Sequence, residues 1–343
     1  MRPILLKGHE RPLSQVKFNK DGDLLFSVSK DSVASIWYSS NGERLGTLNG
    51  HSGAISAIDI DPTTTFAVTG SADFSAKLWK VETGECIFTW NTVTPVRGVE
   101  FNKDASNVLV VTAEVMGHPG TISIYPVDFT KEEQSTEPLL VIKRQPELGV
   151  FTVAGWSYGD KYIIAGHNDG SISKIDAETG EFVETAKYHE GIVTDLQFSP
   201  DRTYFITSSK DQSAVLVDVL EFKLLKQYQA KAPVNSAVIT PVKDYIILGG
   251  GQDAKDVTTT KSADGKFESK IFHKIFKDEI GRIKGHFGPI NTIAIHPKGT
   301  GFASGGEDGY VRLHHFDQPY FDFQYDVEKT AAATSKASLQ TAS

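Results

Sequence analysis

Four histidines in this chain are each followed by an aspartate 22 residues later, and a hydroxyl residue stands four positions before each aspartate. The sets are His9, Ser27 and Asp31; His51, Thr69 and Asp73; His189, Thr207 and Asp211; His286, Ser304 and Asp308. Histidine, a hydroxyl and a carboxylate are the groups of a hydrolytic triad, in which the imidazole takes a proton from the nucleophilic oxygen. A nucleophilic site occurs once in a chain, whereas this set recurs four times at one spacing. The repetition therefore favours a structural role, in which each buried polar group satisfies another.

Other residues with chemical potential lack the partners that their chemistry needs. The run Gly249–Gly251 is not followed by the Lys and the Ser or Thr of a phosphate-binding loop. His314 and His315 are adjacent on a predicted strand, where successive side chains point to opposite faces, so they cannot share a metal ion. Cys86 is the single cysteine, which excludes a paired-cysteine zinc site and an internal disulfide. The sequence therefore predicts no catalytic residue, no cofactor and no metal ion.

The segments that carry the repeated residues have the pattern of β-strands. Apolar and polar residues alternate in stretches such as Leu13–Phe18 and Ile55–Ile60, and each stretch is followed by a polar turn and a second apolar run. The aspartate then lies in a turn before a third strand, and a fourth strand completes the unit. Tryptophan stands six residues after the first two aspartates, at Trp37 and Trp79. Units begin near residues 8, 50, 91, 145, 189, 231 and 285, which makes seven.

These features resemble the WD-repeat β-propeller family, in which units of about 40 residues each form a four-stranded blade. The resemblance implies an all-β, seven-bladed WD-repeat β-propeller in which the repeated His, hydroxyl, Asp and Trp form buried hydrogen-bond relays. We expect Ile4–Leu6 to supply the outer strand of the last blade, because Pro289–Phe316 contains three clear strands. Tyr320–Phe323 is expected to pack against the same blade. The propeller is predicted to span residues 1–326, and residues 327–343, rich in Ala, Thr and Ser, to form a flexible tail.

The remaining candidate residues lie on one predicted face of the ring. Turns between first and second strands and between third and fourth strands share that face, and aspartates occupy such turns in blades four to six. They are Asp160, Asp176, Asp201, Asp218 and Asp244, with Leu216 and Leu220 nearby. Aspartate favours turns for local reasons, so ordinary solvated turn residues are one interpretation. The other is a docking surface for a partner helix that carries Arg or Lys, with Asp201, Leu216, Asp218 and Asp244 as contact residues.

The composition restricts the setting in which the chain works. Its 343 residues are 39% hydrophobic and 23% charged, as in an ordinary globular protein. The formal net charge of −8 disfavours direct binding to a phosphate backbone, and a local group of lysines (Lys255, Lys261, Lys266, Lys270 and Lys274) is interpreted as a solvated loop and edge strand. No stretch approaches the roughly 20 apolar residues of a membrane span, and the N-terminus lacks a signal-peptide core. With a single cysteine, these features indicate a cytoplasmic protein.

Several stretches resemble more than the general repeat. They are Met1–Arg11, Asn41–Gly46, Leu248–Thr260, Gly285–Asn291 and Ser304–Arg312. Together they are similar to the family of the i subunit of eukaryotic translation initiation factor 3. The resemblance extends from Met1 to about Phe323 and is thinner through Asp104–Glu137.

The resemblance implies a non-catalytic scaffold subunit. Such a subunit is held by a C-terminal helix of the b subunit and associates with the g subunit. It reaches the small ribosomal subunit through the complex, and it supports 43S pre-initiation complex assembly, mRNA recruitment and scanning. The alternative is a propeller that recognises substrates or phosphopeptides in a ubiquitin-ligase or signalling complex. That function needs an Arg cluster at the central opening and an appended docking domain, for which the predicted propeller leaves no room.

Overall fold

The described residues form twenty-eight strands in seven antiparallel four-stranded sheets. The structure is a computed structural model that describes residues 2–131, 133–252 and 267–325. Blade 1 contains β2 (Leu13–Phe18), β3 (Leu24–Ser29), β4 (Val33–Tyr38) and β5 (Arg44–Asn49). Blade 2 contains β6 (Ile55–Ile60), β7 (Phe66–Ser71), β8 (Ser75–Lys80) and β9 (Glu85–Asn91). Blade 3 contains β10 (Val96–Phe101), β11 (Asn107–Thr112), β12 (Thr121–Pro126) and β13 (Leu140–Lys143).

The later blades repeat this order. Blade 4 contains β14 (Phe151–Trp156), β15 (Tyr162–His167), β16 (Ser171–Asp176) and β17 (Phe182–Lys187). Blade 5 contains β18 (Val193–Phe198), β19 (Tyr204–Ser209), β20 (Ser213–Asp218) and β21 (Leu224–Gln229). Blade 6 contains β22 (Val234–Ile239), β23 (Tyr245–Gly250), β24 (Glu268–His273) and β25 (Glu279–Lys284). Blade 7 contains β26 (Ile290–Ile295), β27 (Gly301–Gly306), β28 (Val311–His315) and β1 (Ile4–Leu6).

The core lies between the blades. In the described ranges, apolar side chains gather in seven clusters, each drawn mainly from two neighbouring blades. Second strands such as β3 and β27 are buried along their whole length, because neighbouring blades cover both of their faces. Outer strands such as β5 are largely exposed. This arrangement confirms the predicted seven-bladed propeller.

The ring is closed by the N-terminal strand, as predicted. Ile4 is paired with Leu313 and Leu6 with Val311 in an antiparallel register. Leu6 is only 2% exposed and belongs to the apolar cluster between blades 7 and 1. The first and last parts of the propeller are therefore joined by both hydrogen bonds and buried apolar surface.

A short helix, α1 (Gln318–Asp322), follows blade 7. Its buried Tyr320 stacks on Phe316 with ring centroids 3.7 Å apart and meets the edge of Tyr245 in blade 6 at 5.4 Å. The predicted packing of this segment thus involves blades 6 and 7 together. Residues 327–343, most of the predicted loop 249–264, and Lys255, Lys261 and Lys266 lie outside the described residues, whereas residues 249 and 250 end β23. No helix in the described ranges is long and apolar enough to cross a bilayer.

The first strand of every blade carries a β-bulge at its second residue. The pairing of β2 with β3 shifts between Leu13 and Gln15, for example, and the other six blades shift at the equivalent place. A bulge redirects the side chain of its extra residue. Repetition around the ring therefore gives seven redirected side chains at one end of the central channel.

Candidate interaction surface

The turns of the propeller divide into two faces. Connections between blades and turns between second and third strands form one, which we call the upper face. Turns between first and second strands and between third and fourth strands form the other, the lower face. The repeated histidines and aspartates lie at the upper face, and the predicted surface aspartates lie at the lower face.

In blade 1 the repeated residues form a continuous chain of hydrogen bonds. Trp37 Nε1 donates to Ser27 Oγ at 2.8 Å, and that oxygen lies 2.8 Å from His9 Nε2. On the other side of the imidazole, Nδ1 lies 2.9 Å from Asp31 Oδ2. The same carboxylate oxygen accepts the Glu10 N–H at 3.1 Å. The chain therefore ties the connection into blade 1 to the turn that contains the aspartate.

Blade 2 repeats this geometry with a threonine. Trp79 Nε1 donates to Thr69 Oγ1 at 2.7 Å, and His51 lies 2.7 Å from that oxygen and 2.8 Å from Asp73. Asp73 Oδ2 accepts the Ser52 N–H at 2.9 Å. The matching distances show that one local design serves both blades.

Blades 5 and 7 contain the same histidine, hydroxyl and aspartate without the tryptophan. In blade 5, His189 lies 3.1 Å from Asp211 and 2.9 Å from the Thr207 hydroxyl. In blade 7, His286 lies 3.1 Å from Asp308 and 2.9 Å from the Ser304 hydroxyl. Val217 and His314 occupy the tryptophan position and give no hydrogen bond to the hydroxyl. In blade 7 Arg312 Nη1 instead donates to Asp308 at 2.8 Å and lies 2.6 Å from His286 Nδ1. The sequence analysis missed this arginine.

Blade 4 has a variant of the relay that the spacing does not show. His167, at the end of β15, lies 2.8 Å from the Gly149 carbonyl oxygen and 2.8 Å from Ser173 Oγ. Asp169 accepts the Gly149 N–H at 2.9 Å. The imidazole comes here from a strand and not from the connection between blades, which is why the 22-residue spacing is absent.

The relay hydroxyls are buried, which supports the structural role that their repetition predicts. The hydroxyl residues Ser27, Thr69, Thr207 and Ser304 are fully buried, so no substrate reaches their oxygen atoms. Burial lowers the pKa of His51, His189 and His286 below the usual 6.5, against the opposing effect of their aspartates. These imidazoles are therefore neutral at pH 7. One ring nitrogen accepts a hydrogen bond and the other donates one.

Two of the predicted lower-face aspartates lie close together in blade 5. Asp201 Oδ1 accepts a hydrogen bond from Ser199 Oγ at 2.6 Å, and Asp218 Oδ1 accepts the Glu221 N–H at 2.7 Å. Burial alone would raise the pKa of Asp201, but hydrogen bonds from Ser199 and Thr203 outweigh burial and lower it. The Val219 N–H donates to the Thr203 carbonyl at 2.9 Å, which holds the two turns side by side.

The other predicted aspartates differ from this pair. Asp244 forms an ion pair with Lys274 at 2.6 Å, so its charge is neutralised locally. Asp160 Oδ2 accepts the Lys103 N–H of blade 3 at 3.0 Å, while its Oδ1 is buried with no partner among the described residues. Asp176 Oδ1 accepts two N–H groups of its own turn, from Glu178 and Thr179. The free acidic surface is therefore centred on blade 5.

Leu216 is not at the surface, which corrects its prediction as a contact residue. It is 4% exposed and packs in the apolar cluster between blades 5 and 6. It lies within β20, a third strand whose first five residues are all buried because blades lie on both sides. Leu220, in the turn after β20, is 65% exposed and is the leucine that a partner can reach.

Comparison with known proteins gives the family. The EIF3I family model matches residues 1–326. Eukaryotic translation initiation factor 3 subunit I of Kluyveromyces lactis is 58% identical over 348 residues, which cover 99% of each chain. The same subunit of Vanderwaltozyma polyspora is 58% identical over 348 residues and the whole of each chain, and that of Aspergillus oryzae is 58% identical over 332 residues, 96% of this chain and 98% of the relative. The chain belongs to the EIF3I family. It is thus a translation initiation factor protein.

The lower face of this EIF3I-family chain also exposes apolar residues that the sequence analysis missed. Ile275 and Phe276, in the turn after β24, are 48% and 39% exposed. Lys274, next to them, lies 3.4 Å from the Tyr204 hydroxyl, so this turn adjoins blade 5. Apolar residues within a turn otherwise rich in Lys and Asp are the signal that could have found them.

A buried lysine supports the exposed Leu220. Lys174 Nζ donates to the Leu220 carbonyl at 2.9 Å and to the Val219 carbonyl at 3.3 Å. Its side chain is 5% exposed and lies over the rings of Tyr162 and Phe222 at 5.2 and 5.4 Å. In this EIF3I-family propeller, Lys174 therefore fixes the turn from the core side. The Leu220 side chain points away from the core.

Proposed function

We propose that the chain is a non-catalytic scaffold subunit of eukaryotic translation initiation factor 3. In this proposal the lower face of blades 5 and 6 binds a basic, amphipathic C-terminal helix of the b subunit. The observation that carries it is the juxtaposition of Asp201 and Asp218 with the exposed Leu220, Ile275 and Phe276. A helix with Arg or Lys on one side and apolar residues on the other matches this surface in charge and shape.

The hydrogen bonds of the two acidic turns support this assignment. They end on Oδ1 of Asp201 and of Asp218, which leaves Oδ2 of each to accept a hydrogen bond from a partner. A carboxylate already fixed by its turn loses little freedom when it binds an Arg or Lys. Asp244 lies at the edge of the surface, where its pairing with Lys274 makes it a weaker contact.

The wider role follows from membership of the factor. The proposal includes association with the g subunit and contact with the small ribosomal subunit through the complex. It includes support of 43S pre-initiation complex assembly, mRNA recruitment and scanning, in the cytoplasm. The buried relay hydroxyls argue against a hydrolase, and a scaffold needs no catalytic group. The proposed domain is one propeller over residues 1–326.

Charge reversal in blade 5 tests the proposal. The tagged chain is purified from its own cells as wild type and as Asp201→Lys with Asp218→Lys, and co-purifying b and g subunits are measured by mass spectrometry. We expect the b subunit to fall at least tenfold, because two charge-assisted contacts become repulsive. Isothermal titration of the purified chain with the C-terminal segment of the b subunit measures the same loss directly.

Asp21 supplies a matched control for this experiment. It stands in the equivalent turn of blade 1. In both turns the residue after the aspartate has a positive φ, +78° at Gly22 and +57° at Arg202. Asp21→Lys makes the same charge change on the lower face away from blades 5 and 6, and should leave both subunits bound. Wild-type recovery of the b subunit with the blade 5 variant would reject the proposed surface, and absence of both subunits from the wild-type preparation would reject the scaffold role.

A further inference from the structure

The upper end of the central channel is lined by one side chain from each blade. These seven are the bulged second residues of the first strands: Ser14, Ser56, Arg97, Thr152, Thr194, Asn235 and Asn291. All of them line one cavity of about 540 Å³. We call this set the bulge ring. Six members are small and neutral, and Arg97 is the single charged one.

The half of the bulge ring in blades 4 to 7 is occupied by internal hydrogen bonds. Each of its four side chains donates to a carbonyl oxygen, and three of these bonds reach the next blade. The bonds run from Thr152 to Gly166 at 3.0 Å, from Thr194 to Val234 at 2.8 Å, from Asn235 to Ile290 at 2.9 Å, and from Asn291 to Leu13 at 3.0 Å. These side chains therefore clamp the ring, and the groups that donate these bonds are not free for a ligand.

The half in blades 1 to 3 is unused. The side chains of Ser14, Ser56 and Arg97 form no hydrogen bond or ion pair with any residue in the described ranges. Each can donate: two hydroxyl groups and a guanidinium with five N–H groups. A concave site with several converging donors, one of them cationic, suits an anionic group.

The acidic residues of the cavity are already paired and lie deeper in the channel. Glu100, three residues beyond Arg97 on the same strand, forms an ion pair with Arg202 at 2.8 Å. Asp195, one residue beyond Thr194, accepts hydrogen bonds from neutral donors, among them Ser236 Oγ at 2.6 Å. They therefore do not neutralise the free guanidinium at the channel mouth.

Exposed apolar residues lie on the upper face of blades 2 and 3, outside the cavity lining. Met116 is 95% exposed and Val93 74% exposed, on the two upper-face segments that flank the start of β10. Phe74, 45% exposed, adjoins Val93 because the Thr92 N–H donates to the Phe74 carbonyl at 2.8 Å. Apolar side chains near an accessible cation are the features of a peptide site, in which the cation fixes a charged anchor and the apolar residues contact its neighbours.

We propose that the upper channel mouth over blades 1 to 3 binds an acidic segment of a partner protein. A Glu or Asp side chain enters the bulge ring, where its carboxylate accepts bonds from the Arg97 guanidinium and from the hydroxyls of Ser14 and Ser56. An adjacent apolar residue of the segment covers Met116 and Val93. The cavity of about 540 Å³ has room for the inserted side chain, and we expect the segment to be a loop or an extended strand.

The site does not suit a nucleic acid. A phosphate backbone is held by several cations at once, whereas the free half of the ring offers one guanidinium. The site is on the face opposite to Asp201 and Asp218, so it is independent of the surface proposed for the b subunit.

Fluorescence polarisation of the purified full-length chain tests the inference. The probe is a fluorescein-labelled short peptide of alternating leucine and glutamate, compared with its leucine and glutamine counterpart. We expect the glutamate peptide to bind at least tenfold more tightly than the glutamine peptide. Arg97→Gln should weaken its binding about 10- to 100-fold, the range expected for losing charge-assisted hydrogen bonds. Ser56→Ala and Met116→Ser should each weaken it a few-fold.

Arg11 provides the control variant. It is exposed on the upper face, in the connection before blade 1, and lies outside the bulge ring. Arg11→Gln makes the same charge change and should bind the glutamate peptide as the wild type does. Equal binding of both peptides, unchanged binding by Arg97→Gln, or no binding at about 1 mM peptide would overturn the inference. Displacement by acetate at the peptide's own concentration would show a small-anion site only and would also overturn it.

Discussion

Replacing Asp73 with asparagine isolates what the charge of one relay is worth. Asp73 accepts hydrogen bonds from His51, from the Ser52 N–H and, at 2.6 Å, from Ser75 Oγ. Asparagine keeps the shape of the side chain, removes the charge and, like the protonated acid, replaces one acceptor oxygen with a donor group. Asp73→Asn therefore imitates protonation of the carboxyl at pH values where the wild type is ionised.

The shifted pKa gives the expected cost. Burial raises the pKa of Asp73, but hydrogen bonds from Ser75, Ser52 and His51 outweigh burial and lower it from 3.8 to about 2. A lowered pKa means that the unfolded chain takes up the proton first, so ionised Asp73 stabilises the fold above pH 3.8 and that stabilisation is lost as the pH falls toward 2. At 1.36 kcal/mol per pKa unit, the ionised form contributes about 2 kcal/mol, and Asp73→Asn should cost about that much at neutral pH.

Urea unfolding at several pH values measures both parts of this prediction. Asp73→Asn should be about 2 kcal/mol less stable than the wild type at neutral pH, and the difference should shrink by about 1 kcal/mol near pH 3, where the wild-type carboxyl also takes up protons. Asp21→Asn, in an exposed turn of blade 1, is the control and should change stability by less than about 0.5 kcal/mol. A neutral-pH difference below that value, or a difference that grows in acid, would refute the reasoning.

Three further changes test packing, an ion pair and a buried imidazole. Leu6→Ala, at a closing-strand residue 2% exposed, should cost about 3 kcal/mol of unfolding free energy in urea, and Leu5→Ala, at a side chain 49% exposed, less than about 0.5 kcal/mol; equal costs would contradict the closure argument. A double-mutant cycle of Arg202→Met and Glu100→Gln should show about 2 kcal/mol of coupling, because the Glu100 side chain is 13% exposed and pairs at 2.8 Å, whereas additive effects would disprove it. Burial lowers the pKa of His314 from 6.5 to about 3, so the fold loses stability as the pH falls below 6.5. His314→Phe should therefore reduce the fall of unfolding free energy with decreasing pH. Identical slopes in both proteins would contradict this expectation.

The repeat spacing was sufficient to predict the fold because each blade is a local unit. Antiparallel strands joined by short turns place residues 22 positions apart in sequence at neighbouring turns, so a spacing alone brings His9 to Asp31. The closing strand at Ile4–Leu6 was predictable because the last unit lacked one strand. Counting within a unit therefore gives topology and the members of each relay.

Side-chain direction was the part that counting did not give. Leu216 is adjacent to the acidic turn in sequence, yet the third strand of a blade is enclosed on both sides and the leucine is in the core. His167 reaches its relay from a strand, and Arg312 from the far side of blade 7, so neither has the repeated spacing. The bulge that directs Arg97 into the channel depends on a shift in strand pairing, and the alternation of the sequence is the same with or without it.

The two proposed surfaces are mechanically separate, and the hydrogen bonds show why. The relay aspartates bind backbone groups of the upper-face connections, as Asp73 accepts the Ser52 N–H. The hydrogen bonds of Asp201 and Asp218 stay within lower-face turns. Between the faces each strand is fixed by its neighbours in the sheet, and a well-packed core resists small continuous displacements. The described hydrogen bonds therefore link no relay to the turns of Asp201 and Asp218. If the two proposed surfaces bind their partners independently, Arg97→Gln should leave affinity for a lower-face helix unchanged.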